Sequence, residues 1–230
     1  MPGYHSGPLS SRLLSSKRAI LFDFDYTLAD SSDAVVLCFN AGLRGIGLPE
    51  ADPVAIKRTI GLSIPEALVA VAGEEHLPRE QEFRARWRAL SNEIMVDMTR
   101  VYDAVPGTAR SLAEGGYRLG VVSTKWRSRI EETFAREGLG AYFELVVGGD
   151  DVAVHKPDPE GLRQALDKMR LAPEDVVYVG DSIADGEAAR RAGVAFVGVL
   201  TGMTERETLE QFAPLAVVGD VGALVGLTQS

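Results

Sequence analysis

The chain has 230 residues, enough for one large domain or a core with a smaller insertion, and its composition is globular throughout. A net charge of −9 and a pI near 4.9 argue against nucleic acid or an anionic membrane as the main partner. The single cysteine, Cys38, excludes an intrachain disulfide and any multi-cysteine zinc site, and no apolar run approaches the ~18 residues that suggest a membrane span.

Residues 1–16 are rich in Gly, Pro and Ser and lack the apolar block of a secretory signal, so they read as a flexible leader on a cytoplasmic protein. Ala19, Ile20, Leu21 and Phe22 form an apolar run without polar alternation, the pattern of a strand buried on both faces. Asp23 ends it. Asp25 and Thr27 follow at spacings of two, which puts all three on one side if the backbone stays extended. Ser31 or Ser32 can cap a helix carrying Val36, Phe39, Leu43 and Ile46, closed by Gly47 and Pro49, with Cys38 as core filling. No convincing strand follows until about residue 100. Ser63 and Glu66 spell a capping box, and a long helix over about 78–99 shows Phe83, Trp87, Leu90, Ile94 and Met98 on one face. Residues 31–100 therefore read as a helical block inserted between 17–30 and 101–230.

Beyond Pro106 and Gly107, strands alternate with helices, the first helix expected over 108–114. The expected strands are 117–123, 143–147, 175–179, 196–200 and 216–218. Between the first two, a Ser128 and Glu131 capping box opens a helix with Ile130 and Phe134 inward and Gly138 as its stop. Asp158 caps a second, with Leu162, Ala165, Leu166 and Met169 on its apolar face. A third packs Ala184, Ala188 and Ala192 and stops at Gly193. This rhythm implies an α/β fold, a doubly wound parallel sheet with a helical insertion.

The polar interruptions coincide. Asp23 and Asp25 follow one strand, Ser123 and Thr124 a second, Lys156 and Pro157 a third, Asp181 and Asp185 a fourth, and in such a sheet these carboxyl ends share one rim. The set suits phosphoryl transfer. Asp23 can attack phosphorus and form an aspartyl-phosphate, provided positive charge offsets the repulsion between two anions. Mg²⁺ on Asp23 and Asp181 would supply it, with Lys156 as a second cation. Ser123 and the amides after Asp23 can hold phosphoryl oxygens, leaving Asp25 to protonate the leaving oxygen and later take a proton from water.

The segments DFDYTLADS, VVSTK, HKPDPEGL and VYVGDSIADGEAARRAG resemble, in order, the four motifs of the haloacid dehalogenase superfamily, and 31–100 resembles its first type of helical cap. The similarity covers 18–227 and is nearest to phosphoglycolate phosphatase-like hydrolases, with related pyrophosphatases and nucleotidases. It implies a Rossmann-like core, a Mg²⁺ cofactor and a small phosphorylated metabolite as substrate. Asp23 is then the nucleophile and Asp25 the acid/base, with the Asp25 carbonyl on the metal. Thr27, Ser123, Thr124 and Lys156 fall to the phosphoryl group, Asp181 to the metal, and Asp185 to the ion's waters or to Lys156. The family usually has glycine where Tyr26 stands, and a tyrosine is expected to resist positive φ and to put its ring near the cap hinge.

Dehalogenation is disfavoured because it leaves Asp25 and the Asp181 and Asp185 pair unexplained. Phosphonate cleavage lacks an acid at position 25, and a sugar phosphomutase more often carries valine at 27. A phospho-receiver would be far shorter, and a catalytically dead regulator would not have every reactive position filled. Specificity is expected in the cap, at Arg58, Leu62 and Ser63, over a predominantly small, polar site favouring a compact ester such as phosphoglycolate.

Overall fold

A computed structural model of the chain describes residues 13–228. Most of the expected leader, 1–16, lies outside the described residues. Its last part is corrected: Leu14 is fully buried, its N–H donates to Leu227 O and its carbonyl accepts from the Tyr117 hydroxyl.

The first strand, β1 (Ala19–Phe22), is followed by β2 (Ala29–Asp30), which pairs antiparallel with β3 (Arg100–Val101). No strand is found between residues 31 and 99, as expected, and the short β2–β3 ribbon is where the chain leaves the core and returns. Between its strands lie α1 (Ser32–Gly45), α2 (Pro53–Lys57), α3 (Ile64–Ala72) and α4 (Glu80–Met98), the last preceded by a 3-10 turn over Glu74–Arg79. Asp52 caps α2 through Ala55 N–H, and Ser63 and Glu66 form the expected reciprocal box on α3. Phe39, Leu43, Ile46, Ile56, Leu68 and Phe83 make the main core of this helical block, while Cys38 packs beside Met95.

The chain then alternates: α5 (Ala104–Glu114), β4 (Arg118–Val122), α6 (Arg127–Glu137), β5 (Phe143–Val147), α7 (Glu160–Met169), β6 (Val176–Gly180), α8 (Ile183–Ala192), β7 (Ala195–Val199), α9 (Arg206–Glu210), β8 (Ala216–Val218) and α10 (Leu224–Thr228). The sheet runs β5-β4-β1-β6-β7-β8 with every pair parallel. Ile20 and Phe22 face a core with α5, α6 and α10, whereas Ala19 and Leu21 face one with α7, α8 and α9. Cover on both faces is why these strands carry no polar alternation.

Two helix starts differ from expectation. Pro106 and Gly107 lie in the first turn of α5, where backbone N–H groups have no intrahelical partner and proline's lack of one costs nothing. The Ser128 and Glu131 box does not form, because α6 begins at Arg127 and that residue's N–H donates to Asp150 Oδ1 at 2.8 Å from a neighbouring loop.

Gly42, buried in α1, lies under the Phe83 ring, where an added Cβ would meet ring carbons at 2.6–2.9 Å. Helix propensity alone makes glycine to alanine worth about +1 kcal/mol, but overpacking a closed core costs ~1–3 kcal/mol. Gly42→Ala is therefore expected to lower the melting temperature, and a rise on thermal unfolding would show that the α1 and α4 contact relaxes freely.

Candidate active site

The strand order reverses between β1 and β6, which opens a crevice at the carboxyl ends of the strands. Asp23 and Asp181 follow those two strands directly. The Asp23 N–H donates to Val179 O at 2.8 Å, extending the ladder by one residue. The chain then turns tightly around the Phe24 carbonyl, which accepts from Thr27, Leu28 and Ala29 N–H at 3.2, 2.8 and 3.0 Å. Tyr26 sits in this turn at φ 59°, so the expectation that it avoids positive φ is corrected. A left-handed residue costs ~1–2 kcal/mol. Here burial of the ring and the hydrogen bond from Tyr26 N–H to Ala29 O at 2.7 Å offset that cost.

Carboxylate oxygens of Asp23, Asp181 and Asp185 lie within 4.8 Å of one another, all three side chains buried. Lys156 Nζ stands among them, 2.5 Å from Asp185 Oδ1, 3.0 Å from the Tyr178 hydroxyl and 2.9 Å from Asp23 Oδ1. The contact with Asp23 is an ion pair, and apart from it Asp23 Oδ1 is buried with no hydrogen-bond donor. Asp185 is satisfied on both oxygens. Its Oδ1 also lies 3.1 Å from the Tyr178 hydroxyl, and its Oδ2 accepts from Ser182 N–H at 2.9 Å and from the Ser182 hydroxyl at 2.6 Å. Asp181 accepts at Oδ1 from the Thr27 hydroxyl at 3.0 Å, while its Oδ2 faces Gly202 so closely that no Cβ fits there.

Burial pushes the Asp23 carboxyl up to about 6; the Lys156 charge and a Ser123 hydrogen bond oppose this, and the Asp185 charge adds to it. Burial, then the charges of Asp185 and Asp23, raises Asp181 well above the usual carboxylate range. Burial alone would lower Lys156, but the charges of Asp185 and Asp23 outweigh it and raise the ammonium instead. Raised carboxyls, an unpartnered oxygen and a glycine-lined approach fit a hard divalent cation. Asp23 and Asp181 have lone pairs to offer it. The hydrogen bonds of Asp185 are taken, so it could act on an ion only through Lys156 or bound water.

Other sequence candidates fall differently. Ser123 is buried beside Asp23, its oxygen accepting from Lys125 N–H at 3.2 Å. Thr27 was expected on the phosphoryl group; it is fully buried with its hydroxyl committed to Asp181, so the expectation is corrected to a role in orienting that carboxylate. Asp25 is held by Lys125, whose Nζ lies 3.0 and 3.1 Å from its two oxygens, and by the Ser31 hydroxyl at 2.6 Å. Lys125 was overlooked in the sequence although it ends the VVSTK segment. Thr124, Asp25, Lys125, Leu62 and Ser63 border a cavity of about 140 Å³ under the helical block. Arg58 and Leu62 border a second, of about 170 Å³, with Tyr26 and Asp181. The Ser63 hydroxyl is used in its capping box. The first cavity has a mainly apolar wall, which corrects the expectation of a predominantly small, polar site.

Stability of the metal-free chain should register this charge crowding. A carboxyl raised in the folded state contributes stability that is full below its unfolded pKa, near 4, and is lost as pH rises through the folded value. Asp181→Asn keeps an acceptor for Thr27 and removes one charge. It is expected to raise the melting temperature in EDTA at pH 7 to 8, with the gain shrinking towards pH 4. A lower melting temperature at pH 7 would contradict strain at Asp181.

A sequence model of the haloacid dehalogenase-like hydrolase family matches residues 20–199. The Listeria innocua pyrophosphatase PpaX is 32% identical over 209 residues, 90% of this chain and 95% of that protein. The phosphoglycolate phosphatase of Pectobacterium atrosepticum is 31% identical over 224 residues, covering 94% and 96% respectively. Among solved structures, a Bacteroides fragilis chain described as a haloacid dehalogenase-like hydrolase superposes with a TM-score of 0.87 at 36% identity, over 90% of this chain and 99% of that one. With its doubly wound sheet, its acidic crevice and these relatives, the chain belongs to the haloacid dehalogenase-like hydrolases.

Proposed function

We propose that the chain is a Mg²⁺-dependent phosphatase that hydrolyses a small phosphate monoester through an aspartyl-phosphate on Asp23. The observation that carries this is Asp23 Oδ1, buried at the strand-order reversal, 2.9 Å from the Lys156 ammonium and without a hydrogen-bond donor. The phosphatase names of the two relatives support it. Mg²⁺, held by Asp23, Asp181 and the Asp25 carbonyl, would supply charge that offsets repulsion between nucleophile and phosphate.

Asp23 attacks phosphorus as the ester bond breaks, and Asp25, released from Lys125 and carrying a proton, gives that proton to the leaving oxygen. Asp25 then takes a proton from the water that attacks the aspartyl-phosphate, releasing inorganic phosphate and restoring Asp23. Lys156, Ser123 and Thr124 hold phosphoryl oxygens, while Thr27 and Asp185 orient Asp181 and Lys156. The helical block over 31–100 acts as a cap that keeps bulk water from Asp25. Because Lys125 and Ser31 hold the Asp25 oxygens in this conformation, Asp25 changes partners when a leaving oxygen arrives. Hydrolysis of pyrophosphate at the same site is the second reading, favoured by the name of the Listeria relative.

Phosphate release from p-nitrophenyl phosphate is the check. Asp23→Asn is expected to fall below a thousandth of wild-type kcat with an unchanged far-UV spectrum. Asp25→Asn should lose ~10²–10⁴-fold, the usual worth of a positioned acid or base. EDTA should abolish turnover and Mg²⁺ restore it. Retention of a tenth of the rate by Asp23→Asn would rule out the covalent route.

A further inference from the structure

The cavity beside Asp25 is poorly suited to a small anion. Its wall includes Phe39 from α1, Leu62 from the loop before α3, Phe83, Trp87 and Met95 from α4, and Trp126 at the start of α6. The cationic side chains around it are engaged: Lys125 with Asp25, Arg84 with Glu80, and Arg129 with Glu132 and Asn92. Arg129 keeps one buried Nε–H without a hydrogen-bond acceptor, which leaves room for one further acceptor. An anionic leaving group, such as the carboxylate of phosphoglycolate or the second phosphate of pyrophosphate, would find at most that one free N–H and would shed water against a largely apolar wall.

Size narrows the choice further. The cavity measures about 140 Å³, and an apolar cavity of about 150 Å³ takes up benzene. One six-membered ring matches that volume. The same cavity reaches Asp25 and Thr124 at the rim, so the ester oxygen of a ring seated in it ends beside the proposed acid.

We infer that the substrate is a phosphate monoester whose leaving alcohol carries one uncharged, ring-sized apolar group, bound by the Phe39, Leu62, Phe83, Trp87, Met95 and Trp126 wall. The inference rests on the phosphatase reading and extends it from the reaction to the substrate class.

Two measurements on the wild-type protein test it. With Mg²⁺ present, kcat/KM for benzyl phosphate should exceed that for phosphoglycolate and for pyrophosphate by at least about tenfold, the low end of the ~10–200-fold discrimination that one apolar group gives. Benzyl alcohol and glycolate both leave through an alkyl oxygen, so the main difference between those two esters is an apolar ring in place of a carboxylate. In parallel, non-hydrolysable benzylphosphonate should change tryptophan fluorescence saturably, because Trp87 and Trp126 are the only two tryptophans in the chain and both line the cavity. Phosphonoacetate at the same concentrations should not.

Preference for phosphoglycolate or pyrophosphate, with fluorescence unmoved by benzylphosphonate, overturns the substrate class and leaves the phosphatase reading standing. Saturable benzylphosphonate binding with no hydrolysis of any ester keeps the cavity as the ligand site and overturns the phosphatase reading. Neither hydrolysis nor binding overturns both.

Discussion

Three carboxylates meet at the carboxyl edge of the sheet with oxygens inside 4.8 Å, and one buried lysine stands among them. At an effective dielectric near 20, two like charges at such a separation repel by roughly 3 to 4 kcal/mol. Lys156 offsets part of this for Asp23 and Asp185, leaving Asp181 with a raised carboxyl and Asp23 with an oxygen that nothing donates to. The backbone holds the groups together regardless, because Asp23 and Asp181 extend adjacent parallel strands whose register is fixed by cores on both faces. A site this crowded with buried carboxylates favours whatever brings positive charge into it. Cation binding and phosphoryl chemistry thus have one electrostatic origin.

The surrounding hydrogen bonds divide the carboxylates by role. Asp185 spends its lone pairs on Lys156, Tyr178 and Ser182, and so fixes the lysine. Tyr178 reinforces this with its hydroxyl, 2.7 Å from Val122 O across the sheet. Asp181 spends one on Thr27 and has the other facing a glycine. A similar arrangement recurs one layer out, where Lys125 joins Asp25, Ser31 and Met95 and thereby links the rim of the core to α1 and α4 of the helical block. Movement of that block would be felt at Asp25 through those contacts.

Much of this was legible in the sequence because the signals are local. An apolar run that stops at a polar residue marks a strand and its carboxyl end together, and that rule placed Asp23, Ser123 and Asp181 at strand ends without coordinates. The Ser63 box was legible for the same reason. What escaped depends on partners distant in sequence. Lys125 acquires its meaning from Asp25 and Ser31, about a hundred residues earlier. The capping spacing at Ser128 was present, but Asp150 supplies the α6 terminus from another loop. Two-residue strands such as β2 and β3 are too short to leave a periodic pattern. Tyr26 shows the limit of backbone propensity, since the turn around Phe24 imposes positive φ and tertiary burial of the ring makes it tolerable.

The most direct test is an anomalous-diffraction measurement on crystals soaked in Mn²⁺ as a stand-in for Mg²⁺. The account predicts one strong peak in the crevice at about 2.1 Å from carboxylate oxygens of both Asp23 and Asp181, and loss of that peak in Asp181→Asn. A peak elsewhere on the chain, or none at saturating ion, would contradict the claim that these buried carboxylates are gathered to hold a divalent cation.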